Sequence, residues 1–341
     1  MEPEFAVCYD GKFSTALRGV GVPVHVLGAA RMSRPWQVWA ARKNLGKVLR
    51  ERRPDIVVAH GSWSMAILGP AVRKARIPLV YWTHDRVTLP LPAQERWAAQ
   101  TPPDFVVANS RYSAEGQEGL YDGVPRQVIY CALNPPERRY SSEEQLQFRE
   151  ANNTPADVPV ILQVSRLDPH KGHRAHLSAL GKMKDLEWVC WFVAAPQRPA
   201  EEEYIASLKQ QAAELGISDR VRFLGWQKDI GLAMEAADIF CQPNSGPEPF
   251  GLTYVEALWR GKPVVTTAMA GALEVLTPDC GILTAPGDLT DLQAALTSLI
   301  ENQAKRKRLG EAGPARAWLL CDPAERLKEI HSCLQKVVQS A

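Results

Sequence analysis

Short apolar runs alternate with amphipathic stretches along nearly the whole chain. Phe5–Tyr9, Val22–Leu27, Asp55–His60, Leu79–Thr83, Phe105–Asn109 and Gln127–Tyr130 read as strands. Helical spacing separates several of them, over Lys12–Gly19, 36–50 and 63–75. In the segment 36–50 the repeating apolar positions are Trp36, Trp39, Leu45, Val48 and Leu49. The alternation resumes at Val160–Ser165 and continues through strands Trp188–Ala194, Arg222–Leu224, Ile239–Gln242 and Pro263–Thr266. The helices between these strands are His173–Met183, Glu201–Leu215, Ile230–Ala237 and Thr253–Arg260, the last closed by Gly261. Leu289–Asn302 follows, with Asp288 as its N-cap, and Ala324–Val338 is the final helix, Pro314 and Pro323 breaking the tail before it. Strands that alternate with helices predict parallel α/β sheets.

Between the two series lies Asn134–Pro159, charged, bearing Pro and Asn, and with room for one short helix. It divides the chain into a first domain at 1–140, a linker at 141–158 and a second domain at 159–318. The remainder, 319–341, is expected to cross back to the first domain. A length of 341 residues suits two cores better than one.

Charge sharpens this division. Residues 1–140 carry 19 Lys/Arg against 12 Asp/Glu, whereas the rest carries 21 against 26, so an anionic partner would dock on the first half. Arg31, Arg34, Arg42, Lys43, Lys47, Arg50, Arg52 and Arg53 face only Glu51 in their segment, and Trp36 and Trp39 open its helix. Basic residues with interfacial aromatics suit a helix on an anionic membrane or one gripping an anionic acceptor. A solvated helix held to the sheet by its tryptophans is the competing reading. Seven scattered cysteines without a C-x-x-C pair suit reduced thiols and a cytoplasmic location, with the inner membrane face as its extension. No apolar run reaches the ~20 residues that span a bilayer.

Candidate chemistry concentrates in two loops. Ser165-Arg166-Leu167-Asp168-Pro169-His170-Lys171-Gly172 leaves a strand end, where open α/β sheets bind ligands, and offers Arg166 and Lys171 to a diphosphate. Asn244–Gly271 crowds Gly246, Pro247, Pro249 and Gly251 before a helix whose free N-terminal amides attract anions, flanked by Glu248 and Glu256. That is a site for a ligand with both phosphate and hydroxyl groups. Two sharper-looking motifs carry less. His170, His173 and His176 would spread around a helix without completing a tetrahedral zinc set. Lys305–Arg308 is flanked by acidic residues and reads as a solvated helix end, so no nucleic acid is expected.

SRLDPHKG, with Glu248-x7-Glu256 inside PEPFGLTYVEAL, resembles the donor-binding signature of retaining glycosyltransferases of family 4 (glycosyl transferases group 1). The likeness continues through Ala270-Gly271-x2-Glu274, Cys280–Leu283 and Pro286–Asp288, and more loosely through Pro54–His60, Thr83-His84-Asp85 and Val106–Ser110. It implies a GT-B fold, two Rossmann-like parallel-sheet domains facing a cleft. Here the first domain starts at what looks like the family's second strand, so the expectation is that either the start is a truncated reading of a longer chain or the protein works without the family's first strand and glycine-rich loop.

The resemblance also implies roles. Glu256 would accept hydrogen bonds from both ribose hydroxyls of a nucleotide, and Glu248 would hold the donor sugar beside the amides of Phe250 and Gly251. Amides near Leu252 and Thr253 would cap the diphosphate, and Arg166 and Lys171 would neutralise it as it leaves. His84 would face the reacting sugar, against the alternative of a strand-end histidine bonded to backbone. Trp226 would lie near the base, although a core or interface tryptophan is the stronger expectation. No D-x-D pair occurs, so the implied transfer needs no metal. The implied donor is a UDP- or GDP-sugar, and the acceptor is an unidentified sugar, lipid or small molecule. The missing loop keeps a second reading open, a nucleotide-sugar-binding protein or assembly subunit with little transferase activity. A sugar-nucleotide epimerase is a third and weaker one.

Overall fold

The computed structural model describes residues 1–117 and 119–340, and they form two compact units. The first holds β1 (Phe5–Val7), α1 (Lys12–Gly19), β2 (Val24–Val26), α2 (Pro35–Arg52), β3 (Val57–His60), α3 (Gly61–Ala75), β4 (Leu79–Thr83), α4 (Ala93–Ala98), β5 (Phe105–Ala108), α5 (Arg111–Glu115) and β6 (Arg126–Val128). The second holds α6 (Ser142–Ala151), β7 (Val160–Val164), α7 (His173–Gly181), β8 (Val189–Val193), α8 (Pro199–Glu214), β9 (Val221–Phe223), α9 (Ile230–Ala236) and β10 (Ile239–Gln242). It continues with α10 (Leu252–Trp259), β11 (Val264–Thr267), α11 (Ala272–Val275), β12 (Gly281–Thr284), α12 (Leu289–Glu301) and α13 (Gln303–Cys321). The closing helix, α14 (Pro323–Ser340), belongs with the first unit from Ala324 onward.

All strand pairs are parallel, as the alternation predicted. In the first unit the order is β3-β4-β5-β6, with β1 and β2 paired separately. Both pieces contribute to one hydrophobic core through Cys8, Leu27, Ala59, Leu79 and Val106. On another face, Ile330, Cys333, Leu334 and Val337 of α14 recur at i, i+3, i+4 and i+7, and meet Val80, Val107 and Ile129. Helix α2 buries Val38, Ala41, Leu45 and Leu49. That stripe excludes its first-turn aromatics, and Trp36 and Trp39 are each 66% exposed, so they do not hold the helix to the sheet.

The second unit's sheet runs β12-β11-β10-β7-β8-β9. Its central strands are buried along their length, which explains their unbroken apolar runs. Asp288 caps α12, accepting from the amides of Thr290 at 2.8 Å and Asp291 at 3.0 Å. In the segment Asn134–Pro159, α6 starts with a Ser141/Glu144 capping box. The Arg149 guanidinium, on α6, donates to the Ala236 carbonyl at 2.8 Å and the Asp238 carboxylate at 2.7 Å.

Two features depart from the sequence expectation. Strand β12 was not anticipated from its pattern, being only four residues long and starting with glycine. Pro314 does not break the tail but lies inside α13. An interior proline costs roughly 3 kcal/mol of helix stability. Packing offsets that cost, because α13 lies backbone-close on α10 where Gly310 and Gly313 have no side chains. A Cβ on Gly310 would sit 2.2 Å from the Gly261 carbonyl oxygen, and one on Gly313 would sit 2.7 Å from that of Leu258. Gly310→Val should therefore lower stability by about 2 kcal/mol, read from the urea midpoint. An unchanged midpoint would show that α13 does not depend on this contact.

Candidate functional site

Chain direction across the second sheet reverses beside β7. Strands β8 and β9 extend to one side of it, and β10, β11 and β12 to the other. The loops leaving β7 and β10 at their C-terminal ends therefore flank this switch point, the position where sheets of this kind bind ligands. Those two loops carry four of the predicted residues.

The loop after β7 turns through a short 3₁₀ segment, Pro169–Lys171, where Asp168 accepts from the His170 amide at 2.9 Å. It ends at Gly172, φ 74°, and a Cβ there would lie 1.7 Å from the Pro243 carbonyl oxygen of the loop after β10. No other residue fits that approach. Further bonds join the loops: Ser245 donates its amide to the His170 carbonyl at 3.0 Å and its hydroxyl to that of Pro169 at 3.1 Å. The Lys171 ammonium pairs with the Glu248 carboxylate, each side chain 17% exposed. A third loop, after β11, joins through Gly271, whose amide donates to the Glu248 carbonyl at 2.9 Å. A Cβ on Gly271 would meet the Pro249 carbonyl oxygen at 2.4 Å.

Helix α10 begins in this crevice. Gly251, φ 93°, precedes it with no side-chain cap, and its carbonyl accepts from Tyr254 and Val255. The amides of Leu252 and Thr253 thus have no helical acceptor. Leu252 is exposed, whereas the Phe250 ring is buried, so Phe250 can offer a ligand only backbone. Glu256, one turn along, forms no hydrogen bond or ion pair among the described residues. Burial pushes its carboxyl above the ordinary range, with the Arg260 charge opposing. Arg166 is exposed, and its guanidinium likewise forms no hydrogen bond or ion pair among the described residues.

Behind the loops lies a row of buried polar groups that the sequence reading did not single out. Gln163, 1% exposed, donates to the Lys171 carbonyl at 2.8 Å and accepts from His176 Nδ1 at 2.9 Å. Asn244 donates to the Tyr254 hydroxyl at 2.9 Å, and Thr266 donates to it at 3.1 Å. Glutamines closing otherwise apolar strands, Gln163 on β7 and Gln242 on β10, were the available signal, since a buried amide must find partners. The three histidines of the H-x2-H-x2-H run do not converge: His173 and His176 are buried and His170 is exposed. Trp226 departs from expectation too. It follows edge strand β9 and is 71% exposed, so it is not a core residue.

In the first unit His84 stands one residue past β4, and the residue beside it is one the sequence reading left out. His60 ends the neighbouring strand β3, and its Nδ1 lies 2.9 Å from His84 Nε2. Burial lowers the pKa of both rings, that of His60 to about 4, with Asp85 opposing the shift at His84. Both are therefore neutral near pH 7.

The family model described as Glycosyl transferases group 1 matches residues 144–316, which includes all three loops. The chain belongs to the glycosyl transferases group 1 family. A second model, Glycosyltransferase Family 4, matches residues 5–136. Membership makes the chain a glycosyltransferase by family, with the two Rossmann-like parallel-sheet units of the GT-B fold. The chain is 26% identical over 314 residues to a GDP-mannose-dependent monoacylated alpha-(1-6)-phosphatidylinositol monomannoside mannosyltransferase of Corynebacterium glutamicum, covering 84% of this chain and 78% of that protein. It is 30% identical over 162 residues to the lipopolysaccharide core biosynthesis glycosyltransferase LpsE of Rhizobium meliloti, but spans only 45% of that protein's length. Among solved structures, Anabaena Alr3699/HepE in complex with UDP and glucose superposes with a TM-score of 0.86 at 27% identity, covering 97% of this chain and 91% of that one. WaaG, a glycosyltransferase involved in lipopolysaccharide biosynthesis, shares the fold at 17% identity and a TM-score of 0.69.

A shielded carboxylate without a partner opposes folding. Because the folded pKa of Glu256 is raised, the folded state gains relative stability as pH falls and loses it as pH rises through that pKa. Glu256→Gln should therefore raise the melting temperature at pH 8, and the difference should close near pH 4. Equal melting temperatures at pH 8 would show that Glu256 is already satisfied.

Proposed function

We propose that this glycosyltransferase moves a hexose from a nucleoside-diphosphate sugar, UDP- or GDP-linked, to a hydroxyl-bearing acceptor with retention at the anomeric carbon. The observation that carries the reading is the joining of the three loops at one sheet edge. There a paired Lys171 and Glu248 stand beside an open helix end and an unpartnered Glu256. Glu256 accepts from the ribose hydroxyls. Glu248 accepts from the sugar, with the backbone of Phe250 and Gly251 beside it. The amides of Leu252 and Thr253 meet the diphosphate. Arg166 and Lys171 stabilise charge as the anomeric carbon–oxygen bond to phosphate breaks. The new bond forms to the acceptor oxygen on the same face, and the acceptor's proton passes to the departing phosphate. His84 faces the reacting sugar. These cations and amides supply the counter-charge, so the reaction needs no metal. The UDP and glucose named for HepE and the GDP-mannose named for the corynebacterial relative support this donor class.

Exposed tryptophans extend the proposal to a surface. Trp36 and Trp39 lie one helical turn apart, Lys43 sits 5.3 Å from the Trp39 ring, and the segment around them is strongly basic. We place this face of α2 on an anionic membrane at its cytoplasmic side, with a lipid-linked acceptor. The phosphatidylinositol-based names of several relatives are consistent with that placement. No helix among the described residues is long and apolar enough to cross a membrane.

Loss of a charge-assisted bond is worth about 1.5–3 kcal/mol, so Glu256→Gln should weaken binding of the cognate nucleotide at least ~10-fold by calorimetry. Arg166→Ala combined with Lys171→Ala should nearly abolish nucleotide release from the donor, and EDTA should leave the wild-type rate unchanged. Wild-type affinity and rate in these variants would defeat the site assignment, and tight donor binding without turnover in wild type would favour a binding protein. For the membrane face, flotation with vesicles containing phosphatidylglycerol should fall when Trp36 and Trp39 become Ala. Equal flotation with neutral and anionic vesicles would remove that part of the proposal.

A further inference from the structure

We propose that His60 is a positioning residue for transfer, fixing the ring plane of His84 and deciding whether His84 meets the substrate as a hydrogen-bond donor or acceptor. The inference rests on the reading above, in which His84 faces the reacting sugar.

The geometry is specific. Strands β3 and β4 pair in register, with His60 opposite Trp82, so two aromatic rings and His84 line up at the strand ends. His60 stacks on Trp82 with centroids 5.3 Å apart and planes 18° apart, and lies edge to edge and nearly coplanar with His84, centroids 5.2 Å and planes 5° apart. The His60 backbone is fixed as the residue before α3, its carbonyl accepting from the Ser64 hydroxyl. The turn after His84 is held as well, since Gln117 donates to Thr83 Oγ1 at 3.2 Å and to the Asp85 carbonyl at 3.3 Å. Each histidine ring has no hydrogen-bond partner but the other among the described residues.

Proton counting gives the consequence. Two neutral imidazoles hold two ring protons, and a contact of 2.9 Å between nitrogens requires one of them to lie between the rings. If His60 Nδ1 carries it, His84 keeps its other proton on Nδ1 and offers a donor. If His84 Nε2 carries it, His84 Nδ1 is bare and accepts, while His60 Nε2 becomes the donor. The outer nitrogens of the pair thus always present one donor and one acceptor, which matches a sugar hydroxyl. No group of three or more His, Cys, Asp or Glu able to hold a metal occurs among the described residues, so a shared proton accounts for the contact better than a metal does.

The test uses the full chain with UDP-glucose and GDP-mannose as probes. His60→Phe keeps a stacking ring but removes both nitrogens, whereas His60→Gln keeps a polar group within reach. His60→Phe should lower kcat about tenfold with little change in KM, and His60→Gln should recover part of it. The double variant His60→Phe with His84→Phe should be no slower than His84→Phe alone. Long-range 15N–1H spectra of the histidine rings should show one protonated and one bare nitrogen in the contact, and the His84 tautomer should shift in His60→Phe. A wild-type kcat in both His60 variants, additive losses in the double variant, or an unchanged His84 tautomer would overturn the proposal. The spectra separate the two readings. If wild-type protein releases nucleotide from neither probe, the activity assignment fails and the tautomer still decides the role of His60; if wild type turns over and His60→Phe matches it, only the role of His60 fails.

Discussion

The candidate donor site depends on one close approach, that of Gly172 to the Pro243 carbonyl. The loops that carry Arg166, Lys171 and Glu248 leave the two sides of that contact. A side chain at position 172 would separate the loops by more than an ångström, and the Ser245, Pro169 and His170 bonds would go with it. Lys171 is the residue just before the contact, and Glu248 lies five residues beyond Pro243. Their pairing is thus a product of backbone packing more than of attraction between two surface charges. The sheet supplies the reason the loops meet at all, since β7 and β10 are neighbours although their first residues, Val160 and Ile239, lie 79 positions apart.

Electrostatics then divides the site into a satisfied part and an unsatisfied part. Lys171 and Glu248 neutralise each other, so neither charge stands alone in a partly dry crevice. Glu256 has no such partner among the described residues and is shielded by burial. Arg166 keeps its charge in water, where an unpaired cation costs little. A ligand that brings hydroxyl donors to Glu256 relieves an existing penalty, whereas one that engages Lys171 must displace an existing pair.

How much of this was legible in the sequence follows from which forces write themselves locally. Buried parallel strands appear as apolar runs because both faces are covered, so β4, β7 and β10 could be placed nearly residue by residue. Glycines at forced approaches, such as Gly172 and Gly251, were visible as residues, but their partners were not, because those lie about 70 residues away or within a turn. Periodicity misled where two faces of one helix both carry apolar residues. In α2 the tryptophans fall at helical spacing, yet the buried stripe is Val38, Ala41, Leu45 and Leu49. Pro314 misled for another reason, since its local penalty is real and only the glycine-lined contact with α10 outweighs it. His60 and Gln163 could not be ranked from the sequence, because each matters through the residue it touches on another segment.

Under the proposed function, this division of the donor site implies an order to its contacts. Glu256 gains from the first hydroxyls that reach it, with nothing to break. Engagement of Lys171 by phosphate and of Glu248 by sugar exchanges one charge pair for two new sets of bonds, so its net worth is smaller than either set alone suggests. The nucleoside end therefore supplies most of the affinity, and the sugar end supplies discrimination, since a sugar with a misplaced hydroxyl would leave Glu248 better served by Lys171. The Lys171–Glu248 ion pair is then the competitor against which each donor sugar is judged.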